Sequence, residues 1–204
     1  MNFAEYNVND ANLEEVLLAL KSLDTVEAVA LGGSRSTGAS DENSDYDIYV
    51  YCAEIPTAET RENLLGKYCS IAEFGNHYWE SEDNTVMNNG VPVDIIYREV
   101  DRFGRYIDTV IKGGKAFNGY TTAFWHNIKN SKVLFDKTGT FTKFRDMAQI
   151  DFPENLRSAI IKNNRNLLNG KLPSYDRQIK KAQERGDIVS VNHRITAFLE
   201  SYFD

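Results

Sequence analysis

Three aspartates and a glycine turn carry the chemistry this sequence can perform. Asp45 and Asp47 are separated by one residue in SDYDIYV. Alternate side chains of a strand share a face, so the two carboxylates point the same way, about 7 Å apart along it. Like charges held side by side repel unless something cationic sits between them. Mg²⁺ suits that position, because it takes one or two carboxylates together with substrate phosphates. Just upstream, Gly32–Gly33–Ser34–Arg35 follows an apolar run, and backbone of this kind cradles phosphate oxygens. The third acid, Asp94, lies in VPVDIIY. A charge amid apolar residues costs several kcal/mol unless it is paired or ligates a metal. With the Asp94 strand beside the Asp45–Cys52 strand, the three carboxylates can hold two Mg²⁺ ions about 4 Å apart. Phosphoryl and nucleotidyl transfer need little beyond positioning and charge neutralisation. The expected substrate is a nucleotide.

The elements that must position these residues follow from periodicity. Leu13, Val16, Leu17, Leu20 and Leu23 form one stripe of a helix that opens after Asn9–Asp10,. Val26 to Leu31 reads as the first strand and Asp45 to Cys52 as the second, with Ile48, Val50 and Cys52 facing away from the carboxylates. Between them lies a polar loop. Thr57 caps a helix from about Ala58 to Cys69. Tyr68 to Ala72 is expected to extend it, and His77 to Glu80 reads as strand. Thr85 to Met87 and Val91 to Tyr97 are strands joined at Asn88–Asn89–Gly90, since Asn-Gly between apolar runs is a strong hairpin signal,. Glu99 to Ile111 and Thr121 to Ile128 read as helices, and Lys132 to Phe135 as a short strand.

Beyond that point the pattern is helical only, over Glu154–Leu168, Ser174–Arg185 and Ile188–Phe203. The expected fold class is α+β, with an αβ domain over residues 1–136 and a helical domain over 137–204. The last helix stops with apolar residues still arriving. It is therefore expected either to continue in a longer chain or to pair with another subunit as a homodimer.

Bulk properties narrow the partners. With 204 residues, 42% hydrophobic and 26% charged, the chain can bury a sizeable core,. It shows neither a membrane-length apolar run nor a signal pattern, and Cys52 and Cys69 lack metal-ligand spacing, so a reduced cytoplasmic protein is expected. A net charge of −7 argues against a nucleic-acid partner,. His77, beside Tyr78 and Trp79, reads as core or a base-stacking wall rather than a metal site, His126 and His193 as packing or surface residues, and Arg177, Lys180, Lys181 and Arg185 as a solvated helix face.

Together, GGS, a loop of roughly ten residues, the DxD of Ser44–Asp45–Tyr46–Asp47 and the later strand Asp94 resemble the DNA polymerase β-like nucleotidyltransferase superfamily. With Arg35 and Gly38, the pattern looks most like the small bacterial members. These include the aminoglycoside and lincosamide adenylyltransferases and the minimal nucleotidyltransferases. The resemblance covers the first half of the chain, through Tyr97. It implies a nucleotidyltransferase fold, a small mixed sheet flanked by helices, followed by a C-terminal helical bundle. It also implies that Gly33, Ser34, Arg35 and Ser44 bind the nucleotide, and that Asp45, Asp47 and Asp94 ligate Mg²⁺ and carry catalysis. The implied reaction moves AMP from ATP to a hydroxyl of a small molecule, such as an aminoglycoside or lincosamide antibiotic, and releases pyrophosphate. An antitoxin-type protein adenylyltransferase and a non-catalytic nucleotide-sensing module are the alternatives. Glu99, Glu154 and Glu184 are candidates for a further general base only by being acidic.

Overall fold

The computed structural model describes residues 10–41 and 44–204. The chain divides into two compact units: residues 1–105 with 127–149, and residues 106–126 with 150–204. In order, the elements are α1 (Ala11–Lys21), β1 (Val26–Leu31), α2 (Gly33–Thr37), β2 (Tyr46–Cys52), α3 (Ala58–Leu65) with a 3₁₀ turn at Gly66–Tyr68, β3 (Cys69–Asn76), β4 (Ser81–Met87), β5 (Pro92–Glu99), α4 (Val100–Ile111), α5 (Ala123–Asn130), β6 (Lys132–Asp136), α6 (Thr140–Ala148), α7 (Glu154–Leu168), α8 (Tyr175–Glu184) and α9 (Ile188–Phe203). None of the described helices is long and apolar enough to cross a membrane.

In the first unit, six strands form one mixed sheet in the order β3-β4-β5-β2-β1-β6. All pairings are antiparallel except β2 with β5, which run parallel. Period-two alternation divides β2 and β5 between the two faces. Ile48, Val50 and Cys52 with Val93, Ile95 and Tyr97 join Leu13, Val16, Leu17 and Leu20 of α1 in one apolar core. Each fully buried Leu, Ile or Val of that set contributes about 1.5–3 kcal/mol by leaving water. The carboxyl of Asp10 fixes the start of α1, accepting the amides of Asn12 and Leu13 at 3.0 and 3.3 Å,.

On the opposite face, Tyr51 packs against Phe103, Phe141 and Phe144 at ring-centroid distances of 5.3, 5.2 and 6.0 Å. Two of those rings come from α6, a helix absent from the sequence reading. Phe141, Phe144 and Ala148 bury its inner side, and Asp136 caps it from five residues back, accepting the amides of Phe141 and Thr142. A cap supplied by the end of a preceding strand leaves no Ser or Asp immediately before the helix to signal it.

Three further expectations are corrected. Residues 69–76 form strand β3 rather than a helical extension, and His77 to Glu80 form a loop rather than a strand. Residues 69–73 put only Cys69 partly inside, with Ser70, Ile71, Ala72 and Glu73 exposed. An edge strand of this kind lacks the buried alternation that would identify it. β4 also begins at Ser81 rather than Thr85, which brings Glu82, Asp83 and Asn84 into the sheet.

In the second unit, α7, α8 and α9 pack together with the segment 106–126. The carboxyl of Asp204 accepts the Thr121 amide at 2.7 Å, the Thr121 hydroxyl at 2.9 Å and the Asn164 side-chain amide at 2.9 Å. α9 leaves Ile188, Val189, Tyr202 and Phe203 exposed. Arg177, Lys180, Lys181 and Arg185 are exposed as expected for a solvated face, and so are Glu99, Glu154 and Glu184.

Candidate active site

The glycine turn is built against Asp47. After β1, the Gly32 amide donates to the Asp47 carbonyl at 2.8 Å, which carries the turn alongside β2. Gly33 has φ +59°, and a Cβ there would collide with Asp47 Oδ2. Only glycine lets backbone lie this close to the carboxylate in a left-handed conformation. What the sequence presents as a polar loop begins with the short helix α2. Its serine and threonine side chains bond back within the turn, Ser36 to the Gly33 carbonyl at 2.8 Å and Thr37 to the Ser34 carbonyl at 3.1 Å. Gly38 ends it with φ 79°.

Arg35 faces the protein backbone. Its guanidinium donates to the carbonyls of Ser44 and Asp45, with Nε at 3.0 and 2.9 Å and Nη2 on Ser44 as well. It lies 4.1 Å from the centre of the Tyr46 ring. In this arrangement Arg35 braces the far end of the loop where the chain enters β2, while its own carbonyl accepts from Lys132 Nζ at 3.3 Å. Ser44 is tied into the same loop through its hydroxyl, which donates to Asp41 Oδ1 at 3.0 Å and accepts the Asp41 amide at 3.0 Å.

The parallel pairing of β2 with β5 makes Asp47 and Asp94 direct register partners. Asp45 stands one residue before β2. The Asp47 carboxyl is pushed up to about 6, by burial first and then by the negative charges of Asp45 and Asp94. The charges of Asp45 and Asp94 therefore both reach the Asp47 carboxyl. Among the described residues no three His, Cys, Asp or Glu side chains converge at metal-ligand spacing. The donor chemistry nevertheless fits Mg²⁺: two carboxylates with hard oxygen atoms on neighbouring strands, a third acid at the strand entrance, and exposed Gly33 backbone beside them,. Mg²⁺ needs no more protein than this when substrate phosphates complete its shell.

Sequence reasoning missed the polar side chains on the same face of β4 and β3. Asn84 is the register partner of Asp94 across β4–β5, and its Nδ2 donates to Asp94 Oδ1 at 2.9 Å. Glu82, two residues along β4, faces the same way. Its carboxyl is raised by burial and then by the charges of Asp94, Glu80 and Asp83. The signal was available in SEDNTVM, where Glu82, Asn84 and Val86 alternate with the buried Asp83, Thr85 and Met87. Starting the strand at Thr85 hid it. Away from the aspartates, Arg98 is buried among Tyr49, Tyr51 and Phe103 and holds Glu80 with both ends of its fork, at 2.9 and 2.7 Å. His77 is exposed in its loop.

Comparison with known proteins gives one family and a set of structural resemblances. The family model for a nucleotidyltransferase domain matches residues 13–117. No curated protein matches the chain. A crystal structure of a toxin-antitoxin with AMP-PNP is similar at 16% identity and a TM-score of 0.40, covering 74% of this chain and 91% of that one. A nucleotidyltransferase-like protein from Exiguobacterium sibiricum 255-15 is similar at 11% identity and a TM-score of 0.41, over 91% of this chain. The present chain spans about half of that protein, 51%.

Proposed function

This chain belongs to the nucleotidyltransferase-domain family, and we propose that it moves AMP from ATP to a hydroxyl of a small-molecule acceptor and releases pyrophosphate. The observation that carries this is the Asp47–Asp94 register pair set against the Gly33 backbone. It joins a two-carboxylate cation site to exposed main chain able to receive phosphate oxygens.

In the proposed reaction, the acceptor oxygen bonds to the α-phosphorus as the bond from that phosphorus to the bridging oxygen breaks, and pyrophosphate leaves with the bond's electron pair. Gly33 and Ser34 hold the β- and γ-phosphates through backbone N–H groups and the Ser34 hydroxyl. Arg35 and Ser44 act indirectly by holding the loop and the entrance to β2 in place, consistent with their bonds to Ser44, Asp45 and Asp41. Asp45, Asp47 and Asp94 are the residues that would hold Mg²⁺, which when bound neutralises phosphate charge and increases the acidity of the attacking hydroxyl. The hydroxyl proton passes to the Asp94 carboxylate at Oδ2, the oxygen that Asn84 does not engage,.

The test is isothermal titration with Mg·ATP, followed by pyrophosphate release across a panel of hydroxyl acceptors. The panel includes aminoglycosides, lincosamides and a metabolite extract, with products identified by a mass gain of one AMP unit. Metal-dependent ATP binding that is lost in the Asp45→Ala, Asp47→Ala double variant supports the assignment. Binding undiminished in that variant would refute it. AMP found on protein rather than on small molecules would replace the acceptor class while leaving the donor half intact.

A further inference from the structure

The carboxylate of Asp94 sits at the end of a hydrogen-bonded chain that crosses three strands. Asn76 Nδ2 donates to Asn84 Oδ1 at 2.6 Å, and Asn84 Nδ2 donates to Asp94 Oδ1 at 2.9 Å. The second proton of Asn76 Nδ2 faces Glu73 Oε2 at 3.4 Å. The direction of this chain follows from chemistry. A carboxylate oxygen accepts, so Asn84 turns its NH₂ toward Asp94 and its carbonyl toward Asn76, which in turn presents its own NH₂,.

An irregularity in β3 makes the chain possible. Glu73 pairs with Asn84 and Asn76 with Glu82, so three steps along β3 match two along β4. Without that extra residue, Glu73 and Asn76 would point to opposite faces. With it, both reach the face of Asn84. Gly75 sits in the bulge at φ +83°, and its amide donates to Asp83 Oδ1 at 2.9 Å. Asp83 lies on the other face of β4, fully buried, and is paired with buried Arg61 at 2.8 Å. A buried ion pair beneath the sheet thus pins the bulge, and the bulge delivers Asn76 to the upper face.

We propose that Asn84 is a positioning residue for Asp94: through the Asn76–Asn84–Asp94 chain it fixes the orientation of that carboxylate before any substrate binds, engaging Oδ1 and leaving Oδ2 for the reacting groups. The consequence for turnover rests on the function proposed above; the hydrogen-bond chain itself does not. Partners that orient a ligating or catalytic carboxylate are worth about 10–100-fold in activity or metal affinity when removed. Asn84 makes no contact assigned to nucleotide, so its removal is expected to lower kcat while KM for ATP changes little.

The test has two arms. In protein free of nucleotide and metal, the Asn84 side-chain NH₂ resonances should lie away from the free-amide position and exchange slowly. Both features should be lost in Asp94→Ala and weakened in Asn76→Ala. Resonances unchanged by Asp94→Ala would overturn the proposal. In turnover assays, Asn84→Leu, similar in volume and without the donor, should lower kcat about 10–100-fold with an unaltered melting curve. Asn76→Ala, one step further out, should lower it by less. Wild-type kcat in both variants would also overturn the proposal. Should Asn84→Leu fail to fold, Asn76→Ala and the resonance comparison decide it. A wild-type protein that turns over no acceptor refutes the proposed function, and the resonance arm then decides the positioning separately.

Discussion

Replacing Asp47 with Asn is expected to stabilise the protein in the absence of nucleotide and metal while removing its binding of Mg·ATP. The Asp47 carboxyl is raised from 3.8 to about 6 by burial and then by Asp45 and Asp94. The folded protein therefore holds this proton more tightly than the unfolded chain does. Below the unfolded value, both states are protonated and the site carries no penalty. As pH climbs from there through about 6, stability is lost, and above that the full cost remains. A rise of about two units corresponds to at most about 3 kcal/mol. Asp47 is only partly buried, so solvent screening reduces this to about 1–2 kcal/mol. For a chain of this size 1 kcal/mol moves Tm by about 2–4 °C. With EDTA at pH 7.5, Asp47→Asn should melt about 2–8 °C above wild type, and the difference should shrink toward zero near pH 4. Mg·ATP should raise Tm in wild type and leave the variant unmoved. Scanning calorimetry across pH reads both effects. A variant less stable than wild type at pH 7.5, or an equal gain at both pH values, would refute the reasoning.

Two further substitutions probe the same framework from either side of the sheet. Gly33→Ala forces a left-handed conformation on a residue with a Cβ, about 1–2 kcal/mol, and drives that Cβ into Asp47 Oδ2. Mg·ATP affinity by calorimetry should fall about tenfold or more, with Tm lowered by a few degrees; unchanged affinity would show that this backbone does not line the nucleotide site. Asp83→Ala leaves Arg61 buried without its ion-pair partner and strips the Gly75 amide of its acceptor. Urea unfolding should reveal a loss of about 3–5 kcal/mol, and the Asn84 resonances should shift with the bulge.

Much of the local structure was legible because local rules produce it. The stripe of Leu13, Val16, Leu17 and Leu20 identified α1, the Asn88–Asn89–Gly90 turn identified the β4–β5 hairpin, and the alternation in YDIYVYC assigned Ile48, Val50 and Cys52 to the core face. The signal failed where an element draws its definition from elsewhere. β3 is an edge strand with little buried on either side, so its residues obey no hydrophobic period. α6 is capped by the side chain of a preceding strand. The sequence also could not show that the Arg35 guanidinium donates to the carbonyls of Ser44 and Asp45, a contact made only in the folded loop.

The sequence by itself determined which residue types share a face: a period of two separates Asp47 from the core residues on either side of it, whatever else the chain does. It also placed glycines where backbone can approach a phosphate, since they carry no Cβ,. Tertiary structure decided what Asp47 stands beside. Asp94 is 47 positions away, and it becomes the partner of Asp47 because β2 and β5 pair in parallel at one register. No turn links two parallel strands directly, so the packing of both faces selects that register, and a slip of one residue would send Asp94 into the core. The Gly75 bulge is decided in the same way. Its extra residue is accommodated where the buried Asp83 carboxylate accepts the Gly75 amide, and hydrogen bonds run on from Asn76 through Asn84 to Asp94.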